Sequence, residues 1–127
     1  MDINSLNSAY FKKYGKPLLD ISKDKYSIEC CENIPIDRYI SLYKMRLSNL
    51  EDSIARQEPT ENLDDKIFAL NNLKEMISDL DDTNAKNVNL YIVEIGPKSV
   101  PVMMFVNNIT EELVAGLFSD KLTGRPI

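Results

Sequence analysis

Histidine is absent from all 127 residues. That removes the commonest general base, the usual activator of a nucleophile and the commonest zinc ligand together. Catalysis would be left to carboxylates, tyrosines and lysines. The carboxylates beside apolar segments, Glu29, Asp37 and Glu94, are not brought together by any regular spacing. The sequence therefore predicts a protein that is not an enzyme. Cysteine is scarce: Cys30 and Cys31 stand side by side, and neighbours on a strand point to opposite faces, so a bridge between them would be strained. Two free thiols, buried or half-buried, in a reducing compartment are the expectation.

No stretch approaches the roughly 18 to 20 apolar residues that span a bilayer. The opening Met1-Asp2-Ile3-Asn4-Ser5 lacks the basic start and apolar stretch of a secretory signal. Both features predict an intracellular chain, cytoplasmic or, for a phage structural protein, virion-associated. Positive charge is also short: 15 Lys and Arg face 20 Asp and Glu, a net −5. Phosphate backbones and anionic lipid surfaces both call for clustered Lys and Arg, so neither nucleic acid nor membrane is an expected partner.

The composition that remains is ordinary for a globular protein, with 43% hydrophobic and 28% charged residues. A chain of this length buries enough surface for one core, which predicts a single α+β domain over residues 1–127. Ile3, Leu6, Tyr10 and Tyr14 follow Asp2 at helical spacing, and Gly15 and Pro17 stop the pattern. Leu18 to Ile21 and the alternating Tyr26 to Cys31, joined by a polar turn, predict a β-hairpin over about 18–31. Ile36, Ile40, Tyr43, Leu47, Leu50 and Ile54 form one helical seam, and Leu63, Ile67, Leu70, Leu73, Ile77 and Leu80 form another. The break at Glu58-Pro59-Thr60, with Asn62 as a cap, is short enough to fold these two patterns, about 37–57 and 62–82, into a central antiparallel helical hairpin. Arg46 or Arg56 would then face the second helix.

Val88 to Ile95 and Val100 to Val106 flank Gly96-Pro97-Lys98-Ser99 and predict a second β-hairpin over about 88–106, with Met103, Met104 and Phe105 as core. Asn108 and Glu111 have the spacing of a capping box, and Leu113, Val114, Leu117 and Phe118 predict a short carboxyl-terminal helix stopped by Gly124 and Pro126. This capping role also accounts for Asn108-Ile109-Thr110 better than glycosylation does, and Lys98-Ser99 lacks the spacing of a phosphate loop.

The charge is unevenly distributed. Residues 1–36 and 83–127 are each balanced, while residues 58–82 hold eight carboxylates against Lys66 and Lys74. Asp79, Asp81 and Asp82 oppose the dipole at a helix carboxyl end and repel one another. They do not form a calcium loop, because Asn84 and Leu90 occupy the positions that would need glycine and glutamate. No metal or cofactor is expected. The outer face of the second helix, with Glu61, Asp65, Glu75, Asp79, Asp81 and Asp82, is the predicted contact for another protein with a basic surface. This reading makes the chain a non-catalytic protein–protein interaction module, such as an inhibitor, immunity or anti-defence protein. The alternative is an assembly factor or a self-associating subunit of a bacterial or phage particle, a homo-oligomer built through strand edges. The strand leading into Ile34-Pro35-Ile36-Asp37-Arg38-Tyr39, the helical middle and the Gly124-Arg125-Pro126 tail resemble small phage tail assembly chaperones. The resemblance covers about half the chain and implies an assembly role without assigning any residue.

Overall fold

The computed structural model describes residues 1–56, 63–83, 88–96 and 100–118. The expected break at 58–60, the cap at Asn62, the turn at 97–99 and the stop at Gly124 and Pro126 lie outside the described residues. Three helices and a four-stranded antiparallel sheet form a mixed α+β fold.

Helix α1 spans Ile3–Tyr14. Asp2 caps it by accepting a hydrogen bond from the Ser5 amide at 2.8 Å, and Gly15 ends it at φ 75°, the left-handed conformation that glycine adopts without a Cβ penalty. Lys12 and Lys13 in the last turn suit the negative end of its dipole. Ile3, Leu6 and Tyr10 are buried on one side of the helix.

Strand β1 is Tyr26–Cys31, and its partner is not the preceding segment. The hairpin expected over 18–31 does not form. Leu18 and Leu19 are buried, but their amides donate to Asn7 Oδ1 at 2.7 and 3.4 Å instead of to a neighbouring strand. Asp20 then accepts from the amide and hydroxyl of Ser22, while Asp24 accepts from the Asp20 amide, so the tight turn takes in Asp20 and Ile21, the end of the expected first strand, along with the polar residues after them. Local side-chain acceptors have taken the donors a ladder would need.

Helices α2, Ile36–Ala55, and α3, Leu63–Asp82, pack against each other. Lys66 Nζ, early in α3, donates to Ser53 Oγ late in α2 at 2.7 Å, and Lys44 near the middle of α2 lies 3.6 Å from Asp81 at the end of α3. The two helices therefore run in opposite directions. The seam of α2 follows the sequence pattern, with Tyr43 buried and Ile36, Ile40, Leu47 and Leu50 half-buried against the same cluster. In α3 the buried set is Leu73, Met76, Ile77 and Leu80, whereas Ile67 is 41% exposed. The two successive steps of three from Ile67 to Leu73 turn the stripe about 120° around the helix, which carries Ile67 off the buried face.

Strands β2, Val88–Ile95, β3, Val100–Asn107, and β4, Leu113–Phe118, complete the sheet in the order β1-β2-β3-β4. The carboxyl-terminal helix expected after Asn108 is strand β4. The Asn107 side chain accepts from the amides of Ile109 and Thr110, Glu111 takes a left-handed φ of 59°, and the Asn107 amide donates to the Glu112 carbonyl, so the supposed capping box is a turn between β3 and β4. Gly116 in mid-segment and the shortness of the apolar run weaken a helix there, and β3 supplies a template.

Both faces of β2 and β3 are covered, which explains their uninterrupted apolar runs. Tyr91, Val93, Ile95, Val102, Met104, Val106 and Leu113 meet α1 and Leu18-Leu19, while Val88, Leu90, Phe105 and Ala115 meet α2, α3 and Ile34. Phe105 is fully buried and stands edge-on to both Tyr39 and Tyr43, at centroid distances of 5.6 and 6.3 Å. No helix among the described residues is long and apolar enough to cross a membrane.

Candidate functional site

The two edges of the sheet are treated differently. Along β4 runs α3, whose Phe68 packs with the α1-side cluster while Leu73, Met76, Ile77 and Leu80 join the other. Asn72 of α3, a buried polar residue, donates Nδ2 to the Gly116 carbonyl at 3.2 Å. A carbonyl on the outer side of an edge strand would otherwise need water. The β4 edge is thereby closed.

Among the described residues, the β1 edge is open. Every residue from Tyr26 to Cys31 is exposed except the half-buried Ile28. The Gly96 amide donates to the Lys25 carbonyl at 2.7 Å, which sets the phase of the β1–β2 ladder. In an antiparallel pair the hydrogen-bonded residues alternate, so Ser27, Glu29 and Cys31 face β2 through Glu94, Ile92 and Leu90. Tyr26, Ile28 and Cys30 then turn both backbone groups away from the sheet. Cys30 and Cys31 are free and exposed rather than buried, because they stand on an edge strand whose residues other than Ile28 are all exposed.

The six carboxylates expected to form one outer face are dispersed. Glu61 lies outside the described residues, as does the side chain of Asp65. Glu75 and Asp82 are exposed on α3. Asp79 lies between them on the same flank, and there the helix meets α1: its Oδ2 is 3.2 Å from Lys13 Nζ, with side-chain exposures of 27% and 25%. That oxygen is sealed from solvent and has no well-directed hydrogen bond, so the contact is an ion pair held by charge. Burial pushes the neighbouring Tyr14 hydroxyl well above the usual phenol range, and the charges of Glu75 and Asp79 push it further. Asp81 points to the other side, toward Lys44 of α2. The crowding of Asp79, Asp81 and Asp82 expected from the sequence is thus relieved by two lysines on two different helices. The expected cations Arg46 and Arg56 are not those partners; Arg46 lies over the Tyr43 ring at 5.4 Å instead.

Glu29, Asp37 and Glu94 are all exposed, with Glu29 opposite Ile92 and Glu94 opposite Ser27 in the ladder. An open cleft of about 640 Å³ lies between α1 and the β3–β4 turn, where Lys12 and Glu112 pair at 3.2 Å. Among the described residues, no group of three or more Cys, Asp or Glu side chains could hold a metal ion. No family model, curated protein or solved structure matches this chain.

Proposed function

We propose that this protein is a small non-catalytic protein-interaction module that presents the carboxyl-terminal end of α3 to a basic partner surface. The observation that carries this reading is the placement of Glu75 and Asp82 in solvent, with Asp81 47% exposed, in a helix whose last turn holds no basic residue. Asp81 and Asp82 oppose the helix dipole, and a cationic partner offsets that while speeding and orienting association. Asp79 is left out of the contact, because the oxygen it turns to Lys13 is sealed from solvent, whereas Asp81, paired with Lys44, stays largely open. An inhibitor that blocks a basic enzyme surface and a subunit that seats in a particle use the same contact chemistry. Glu75→Lys, Asp81→Lys and Asp82→Lys together, in a chain shown to be folded by circular dichroism, should abolish capture of partners from the source cells and its salt dependence. Asp79→Asn should leave capture intact. Unchanged capture by the triple variant refutes the assignment.

A second reading, a self-associating subunit, is favoured by the open edge of β1.

A further inference from the structure

We infer that the outer edge of β1 pairs with the same edge of a second copy of this chain, antiparallel and about a two-fold axis at Ile28. This deepens the second reading, on which it rests, and does not depend on the acidic surface.

Natural sheets guard an open edge with proline, a bulge, an inward charge or a covering element. Between Tyr26 and Cys31 there is no proline and no register shift, and the strand's one charge, Glu29, is solvent-exposed, whereas among the described residues α3 lies along the other edge and Asn72 satisfies its Gly116 carbonyl. An edge joined to itself about a two-fold closes, leaving no further open edge to propagate, so the product is a discrete dimer and not a fibre.

The ladder phase restricts the register. Only Tyr26, Ile28 and Cys30 aim their backbone groups outward, so they alone can exchange bonds with the second copy. Residues opposite each other must also share a face, which leaves axes at Ser27, Ile28 or Glu29. An axis at Glu29 sets that carboxylate against its own copy, a destabilising pair. An axis at Ser27 sets Cys30 against Asp24, which sits in the turn closed by Asp20. An axis at Ile28 uses the whole strand. Ile28 then meets Ile28 of the second copy, and Tyr26 meets Cys30, so the face continuous with the α1-side core is apolar throughout. On the other face Ser27 lies opposite Glu29, and Lys25 lies diagonally from Glu29 of the second copy, within reach of a long side chain. Backbone pairing, apolar contact and charge all select this register.

The mass of the full chain, measured by light scattering and sedimentation over a concentration series, should rise from monomer to dimer. Amides of Tyr26, Ile28 and Cys30 should gain exchange protection with it. Tyr26→Pro and Cys30→Pro each delete an outward donor at an exposed position without touching the bonds to β2, and should weaken dimerisation roughly tenfold or more. Glu75→Lys with Asp82→Lys should dimerise normally, which separates this surface from the acidic one. Tyr26→Cys with Cys31→Ser should oxidise to a covalent dimer through Cys30 of the second copy, while the wild type should not, since its cysteines face Tyr26 and Lys25. A monomer at every concentration overturns the inference, as does a dimer that survives both proline variants or lacks protection at these amides. Ready cross-linking of the wild type through Cys30 overturns the register.

Discussion

Replacing Lys13 by Met keeps the aliphatic stem beside Tyr14 and removes only the ammonium 3.2 Å from Asp79 Oδ2. Exposed ion pairs contribute about 0.2 to 1 kcal/mol, and breaking a fully buried pair costs about 3 to 5 kcal/mol. With both side chains about one quarter exposed, this pair lies between those limits. Lys13→Met should therefore destabilise the fold by about 1.5 kcal/mol, most of it from leaving a carboxylate oxygen sealed from water without a partner. Asp79→Asn, which keeps the shape and drops the charge, should cost about 1 kcal/mol. The double variant should cost less than the two together, with a coupling of about 1 kcal/mol. Urea unfolding followed by circular dichroism measures all four corners of this cycle, and a second cycle at high salt should change the coupling little, because partly buried pairs are weakly screened. A coupling below about 0.3 kcal/mol would show that Asp79 is not committed to α1. It would then return to the carboxylates available to a partner.

Burial raises Tyr10 and Tyr43 to about 12 and Tyr14 higher still. An unfolded phenol ionises near pH 10, so above that pH the unfolded chain has shed protons the native one keeps. Stability should be intact below pH 10 and fall steadily toward pH 12, with tyrosinate absorbance rising in step with unfolding; a smooth ionisation of all six tyrosines near pH 10 would contradict these placements. Cys30 and Cys31 should both react with a charged, water-soluble disulfide reagent in dilute native protein as fast as in urea. Reaction that waits for global unfolding would show the edge to be covered.

The helices were legible because their signals are local. Asp2 and Gly15 bracket α1, and the seam of α2 repeats without interruption from Ile36 to Ile54. The β2–β3 pairing was legible for the same reason, two β-branched runs around one turn. What escaped depends on partners remote in sequence. Nothing near Tyr26–Cys31 indicates that its ladder lies with Val88–Ile95, and the six residues of β4 satisfy helical and extended spacing alike until β3 is present. The exposure of both cysteines follows from β1 standing at an edge, which strand alternation cannot reveal. For the acidic flank, the clue was Lys12-Lys13 at the end of α1, but only the packing of α1 against α3 turns Lys13 toward Asp79.

The β1–β2 pairing also orders events in time. β2, β3 and β4 follow one another along the chain with few residues between them, whereas β1 is separated from its partner by the whole of α2 and α3. On the ribosome β1 emerges early and waits unpaired until that intervening stretch has been made, and after release it must close the longest loop in the sheet. Refolding should therefore end with a slow phase in which β1 is recruited, and the same strand should be the first to detach when the native molecule breathes.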